Sequence, residues 1–195
     1  MALSLPNLIS ILRILMVPLV VSLMLGKDYE LAFGLFLIAG LSDAVDGFIA
    51  KRFDMRTELG AWLDPIADKA LLVSVYVTLG VQGQLAQLLV TLVVARDLLI
   101  VGAVILSTLV GHPLKIAPLM LSKLNTAAQI VLAALTLAGL GFMPTLHPLI
   151  VPGEWIVAAT TLFSGLAYFL AWFASITAWD LVGRRIAAME TGEAA

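Results

Sequence analysis

Residues 42–69 read SDAVDGFIAKRFDMRTELGAWLDPIADK, and four of their carboxylates, Asp43, Asp46, Asp64 and Asp68, stand among long apolar runs. A fifth, Asp54, falls in the polar link between the runs. The surrounding chain makes this placement costly. Of its 195 residues 62% are hydrophobic and 12% charged, and the mean hydropathy is +1.08. Soluble domains lie nearer half apolar and a quarter charged, so the composition predicts an integral membrane protein. With no cysteine, a disulfide framework and thiolate chemistry are excluded. A formal net charge of -2 argues against nucleic acid as a partner. No cleavable secretory signal or transit peptide is expected at the start. One membrane domain over residues 1–195 is expected, because no polar stretch is long enough to hold a soluble one.

Apolar segments of about 20 residues span a bilayer as helices. Six are expected, at roughly 8–25, 30–51, 58–80, 84–109, 122–142 and 154–182, giving an all-α protein. The links carry the punctuation of loops: Gly26 to Asp28, Lys51 to Thr57, Gly80 to Gly83, Gly111 to Pro118 and Met143 to Gly153. The two prolines and one lysine of 111–121 (GHPLKIAPLML) predict an interfacial loop or short in-plane helix. With the N-terminus inside, Lys51, Arg52, Arg56, Lys115, Lys123, Arg184 and Arg185 all fall on the cytoplasmic side, and only Lys27 falls outside. That asymmetry places both termini in the cytoplasm. Trp62, Trp155 and Trp179 lie near predicted helix ends, where interfacial aromatics collect.

In this topology the second and third segments form an antiparallel hairpin. Asp43 and Asp46 are spaced i,i+3, and Asp64 and Asp68 i,i+4, so each pair shares a helix face. All four carboxylates then meet at one depth near the cytoplasmic surface. A single aspartate inside the membrane costs roughly 2.5–3.5 kcal/mol, so four together need positive charge among them. Oxygen-only ligands suit magnesium, calcium or manganese. Two ions are the simplest arrangement, and two-metal sites commonly act on phosphates. Gly47, Ala50 and Gly60 add small residues in register with the aspartates, where a ligand can approach the backbone; the alternative is close helix packing.

Written as Asp43-x2-Asp46-Gly47-x2-Ala50-Lys51-x8-Gly60-x3-Asp64-x3-Asp68, the stretch resembles the signature of the CDP-alcohol phosphatidyltransferases, D-x2-D-G-x2-A-R-x8-G-x3-D-x3-D. The departure is Lys51 in place of arginine, with Arg52 next to it. Lysine keeps the charge and loses the bidentate fork, so either residue could grip the diphosphate. The resemblance implies six transmembrane helices, a homodimer, and attack of an alcohol on CDP-diacylglycerol with release of CMP. It implies that Asp43, Asp46, Asp64 and Asp68 hold two divalent cations, Mg²⁺ or Mn²⁺. Asp68 would also be the general base on the acceptor hydroxyl. Gly47, Ala50 and Gly60 would line the cytidine diphosphate, with Asn7 and Arg13 of the first helix facing the nucleotide or its phosphates. For Arg13 the alternative is snorkelling to the interface.

Lys69 points about 100° away from Asp68, which predicts a structural ion pair or a snorkel. Arg96-Asp97 lies deep in the fourth segment, where a charge needs a partner or a cavity. The family's phosphatidylglycerophosphate synthases carry a second arginine eight positions on; here that position is Val104. The run Ser122-Lys123-Leu124-Asn125-Thr126-Ala127-Ala128-Gln129 resembles the SK-x-NT-x-x-Q run of eukaryotic-type cardiolipin synthases, and phosphatidylglycerophosphate synthases more often read GK-x-KT there. Arg96, Lys123 and Asn125 are therefore the candidate acceptor-binding residues. Interhelical polar contacts are the alternative role for the run. His112 and His147 are expected in loops as surface residues. The resemblance points to phospholipid synthesis at a bacterial-type inner membrane, with phosphatidylglycerol as acceptor and cardiolipin as product. The close alternative is glycerol 3-phosphate, and a different class altogether is an ion or solute transporter using its intramembrane acids.

Overall fold

The structure, a computed structural model, describes the backbone of residues 5–52, 58–109 and 120–190 and the side chains of 9–42, 66–102 and 120–170. Among the described residues there are six α-helices: α1 (Leu5–Leu25), α2 (Tyr29–Arg52), α3 (Glu58–Val81), α4 (Gln87–Leu109), α5 (Met120–Gly141) and α6 (His147–Glu190). Each expected apolar segment overlaps one of them. The expected loop at 111–121 lies mostly outside the described residues, as does Val104's side chain.

The last link differs from expectation. Met143 to Gly153 was expected as a connection, but only a short 3₁₀ turn at Pro144–Leu146 separates α5 from α6. Pro148 sits in the first turn of α6, where no intrahelical donor is required. Pro152 lies one turn further in and withdraws a single bond. His147 accordingly opens a helix, its Nε2 3.0 Å from the Gly139 carbonyl oxygen of α5. At 44 residues, α6 is about 66 Å long, well beyond the roughly 30 Å hydrocarbon core.

The turns between helices are closed by their own backbones. At the end of α1, Asp28 N–H donates to Leu23 O (2.9 Å) and Lys27 N–H to Met24 O (3.0 Å), with Lys27 at φ 64°. At the end of α3 the same Schellman pattern recurs, with Gln84 N–H on Leu79 O, Gly83 N–H on Gly80 O, and Gly83 at φ 70°. Gln82 Nε2 donates to Met24 O at 2.7 Å, satisfying a carbonyl at the end of α1. Glu154 of α6 accepts Ala86 N–H at 2.6 Å, just ahead of α4.

The helices interlock through one apolar cluster. Val20 and Met24 of α1, Phe36 of α2, Val75 and Leu79 of α3, Val93 of α4, Leu132 and Leu137 of α5 and Val157 of α6 all belong to it. α1 packs on α2 and α3, α5 on α2, α3 and α6, and α4 on α3 and α6. Tyr76 Oη donates to the Gln129 carbonyl at 3.1 Å, pinning α3 to α5. Close crossings use glycine: a Cβ on Gly80 would lie 2.8 Å from Val90 Cγ2, and one on Gly153 2.9 Å from Leu132 Cδ1.

Large apolar side chains of the described residues also lie on the outside. Leu15, Leu19, Leu31, Leu98, Leu99, Phe163 and Phe169 are each more than half exposed, a surface suited to lipid rather than water. Among the described residues, Met120–Gly141 and Pro144–Leu170 are long and apolar enough to cross a membrane, and Ile9–Leu25 and Tyr29–Ser42 are shorter apolar stretches.

Candidate active site

The helical backbone fixes the spacing of the motif. Asp43, Asp46, Gly47, Ala50, Lys51 and Arg52 lie in α2, and Gly60, Asp64 and Asp68 in α3. Of these, only Asp68 has a described side chain; those of the others, and of Asn7 in α1, lie outside the described residues.

Asp68 meets Arg13. The guanidinium Nη1 is ion-paired with Asp68 Oδ1, joining α1 to α3. Arg13 is 1% accessible and Asp68 44%, so the cation is buried behind a carboxylate that still opens outward. Arg13 therefore lies at the motif, not snorkelling to an interface. An outward-facing carboxylate, on a helix carrying Asp64 one turn earlier and beside the helix of Asp43 and Asp46, fits the oxygen donor set of a hard divalent cation. Asp68 is the one of the four expected donors whose side chain is described.

The adjacent residue turns the other way. Lys69 Nζ lies 2.6 Å from Asp97 Oδ1 of α4, the first of the two roles expected for it, an ion pair or a snorkel. The same oxygen accepts Arg96 Nη1 at 2.7 Å. Arg96 is a hub: Nη2 donates to Ser122 Oγ of α5 and to Ser164 Oγ of α6, the latter at 2.7 Å. Its Cζ lies 5.9 Å from the centre of the Tyr168 ring. Arg96 and Asp97 are 5% and 3% accessible, so the charge deep in the fourth helix has its partner.

The α5 run divides by face. Lys123 is exposed. Asn125 is fully buried, and its Oδ1 lies 2.8 Å from Thr160 Oγ1 and 3.0 Å from Thr161 Oγ1 of α6. Gln129, one turn on, is also fully buried, and its side-chain amide makes no hydrogen bond among the described residues. Arg96 and Ser122 thus come together, and Arg96 of α4 and Asn125 of α5 both reach α6. Sequence reasoning missed Thr160, Thr161 and Ser164. Their spacing of i, i+1 and i+4 within an otherwise apolar run was the available signal.

The chain matches the CDP-alcohol phosphatidyltransferase family over residues 3–179. It is 36% identical over 185 residues to CDP-diacylglycerol–glycerol-3-phosphate 3-phosphatidyltransferase 1, chloroplastic, of Oryza sativa, covering 85% of this chain and 56% of that protein. Over 151 residues it is 34% identical to the CMP-forming cardiolipin synthase of Homo sapiens, covering 69% and 50%. Against CDP-diacylglycerol–glycerol-3-phosphate 3-phosphatidyltransferase of Bacillus subtilis, identity is 34% over 183 residues, covering 85% and 93%. The chain spans about half the length of the rice and human relatives and nearly all of the bacterial one.

Proposed function

The chain belongs to the CDP-alcohol phosphatidyltransferase family, and from that premise we propose that it moves a phosphatidyl group from CDP-diacylglycerol to phosphatidylglycerol, giving cardiolipin and CMP. The observation that carries the choice of acceptor is the Arg96–Ser122 contact. It joins the arginine of α4 to the run on α5 that resembles cardiolipin synthases. The two positions where phosphatidylglycerophosphate synthases more often carry further cations offer none here: Asn125 is neutral and engaged by α6, and position 104 is valine. Arg96 and Lys69 share one carboxylate, Asp97, which leaves that cluster a single net positive charge. Lys123 is exposed and can meet the single charge of a phosphodiester acceptor. Arg96, Lys123 and Asn125 stand on the acceptor side of the site.

The family generally depends on divalent metal. Asp43, Asp46, Asp64 and Asp68 would hold two cations, Mg²⁺ or Mn²⁺, whose chemistry is to neutralise the diphosphate and the departing CMP. Asn7, with Gly47, Ala50, Gly60 and either Lys51 or Arg52, would receive the cytidine diphosphate, and Arg13 backs that site through Asp68. Asp68 takes the proton of the acceptor hydroxyl as that oxygen bonds to the phosphorus carrying diacylglycerol. The bond from that phosphorus to the CMP oxygen breaks, and CMP leaves. Buried Arg13 holds the carboxylate in place for this. In this reading the chain is one membrane domain of six spans in a bacterial-type inner membrane, working as a homodimer, with both termini and the site cytoplasmic. The acyl chains stay in lipid while the headgroup reacts at the boundary.

Glycerol 3-phosphate is the second reading, supported by the names of the rice and bacterial relatives. The test is CMP release by the purified protein with CDP-diacylglycerol and Mg²⁺ or Mn²⁺, with the two acceptors in parallel. Release with phosphatidylglycerol alone supports cardiolipin synthesis. Release with glycerol 3-phosphate alone overturns that choice, and solute flux without CMP release returns the transporter.

A further inference from the structure

Asp68 and Lys69 are consecutive on α3, so their side chains leave the helix about 100° apart. Asp68 is tied to Arg13 of α1 and Lys69 to Asp97 of α4. Two turns further along, Tyr76 pins α3 to α5; at the Asp68 end these two ties, in different directions, set the roll. The second tie ends on an anchored carboxylate. Asp97 is 3% accessible, and its Oδ1 is shared by Lys69 and by Arg96, which reaches on to Ser122 of α5 and Ser164 of α6. A mobile surface acid could neutralise Lys69 without setting its position.

Resting on the phosphatidyltransfer reading, we propose that Asp97 is a positioning residue: through Lys69 it sets the rotation of α3 and hence where Asp68 stands. A side chain ends about 6 Å from the helix axis, so a roll of about 10° moves it about 1 Å. A displacement of that size can cost about 100-fold in rate.

Two readouts test this, one independent of turnover. The chain contains no cysteine, so spin labels introduced at exposed Leu15 of α1 and Val77 of α3 report one distance by pulsed electron paramagnetic resonance. The parent is expected to give a narrow distribution and Asp97→Asn a broad one. In unlabelled protein, Asp97→Asn should lower kcat for CMP release by about tenfold or more, with KM for CDP-diacylglycerol within about twofold. Asp97→Glu should recover part of kcat. Lys69→Met, which leaves the Arg96–Asp97 pair intact, should reproduce both effects and serves where Asp97→Asn fails to fold. An unchanged distance distribution in the folded variant overturns the proposal, as does wild-type kcat. Should the parent release no CMP with any acceptor, the functional reading fails, and the distance distribution alone decides the positioning role.

Discussion

Arg13 of α1 and Asp68 of α3, 55 positions apart, form an ion pair whose cation is buried and whose carboxylate is 44% accessible. The pair holds the last carboxylate of the motif from behind and leaves it partly accessible. Asp68→Asn keeps a carbonyl oxygen for Arg13 to bond, so the helices should stay together, and it removes the proton acceptor. CMP release should fall by about 10²–10⁴-fold, with CDP binding, followed by calorimetry, largely retained. Loss of CDP binding along with turnover would count against Asp68 as the base.

Metal removal should act on the same site. With hard oxygen donors, activity in excess EDTA should vanish and return with Mg²⁺ or Mn²⁺ added above the chelator. Potassium at matched ionic strength should not restore it. Full CMP release in EDTA would leave the four aspartates without the role assigned to them.

Asn125 separates two explanations of the acceptor. Its side chain is fully buried against Thr160 and Thr161, so lysine, the residue more usual in phosphatidylglycerophosphate synthases, would bring an unpaired charge into the helix interface. Asn125→Lys should lower the yield of folded protein and its thermal midpoint sharply, by about 3 kcal/mol or more, with no gain of glycerol 3-phosphate-dependent CMP release. Asn125→Leu should cost about 1 kcal/mol, because Thr160 can still bond the Ile156 carbonyl of its own helix. A stable Asn125→Lys protein that uses glycerol 3-phosphate would reverse the argument.

How much of this was legible in the chain follows from which forces are local. Helix positions came from apolar runs along a single segment, and the turning of Lys69 away from Asp68 came from helix geometry, which left its role open between an ion pair and a snorkel. The start of α6 did not, because proline and glycine near 148–153 carry the same composition in a loop and in a helical first turn. The partners of Arg96 were also hidden. Ser122 and Ser164 lie 26 and 68 positions away, and their meeting depends on how α4, α5 and α6 are rotated against one another. Family resemblance supplied the roles of Asp43, Asp46 and Asp64, whose side chains lie outside the described residues.

The crossing of α3 and α4 depends on the absence of one methyl group. A Cβ on Gly80 would come within 2.8 Å of Val90 Cγ2, too close to be absorbed without shifting the helices. Gly80→Ala should destabilise by about 1–3 kcal/mol, read as a lower thermal midpoint in detergent. Val90→Ala alone should cost less, and the double variant should be more stable than Gly80→Ala alone. Simple additivity of the two losses would mean that Gly80 and Val90 do not share this contact.

The turn between α1 and α2 offers a gain rather than a loss. Lys27 takes φ 64° to let Asp28 and Lys27 cap α1, a conformation that costs a residue with a Cβ roughly 1 kcal/mol. Gly83, at the equivalent place after α3, adopts φ 70° without that cost. Lys27 is exposed, so replacing it loses little packing. Glycine there relieves the backbone strain, and the added freedom of the unfolded chain offsets part of the gain. Lys27→Gly should therefore raise the thermal midpoint by an amount worth about 0.5 kcal/mol, while Gly83→Ala should lower it by about 1 kcal/mol. CMP release should be unchanged in both, because Lys27 precedes α2 at the end away from Asp43 and Asp46, and Gly83 follows α3 at the end away from Asp64 and Asp68. A fall in stability for Lys27→Gly would show that the ammonium, rather than the left-handed backbone, decides the residue at this turn.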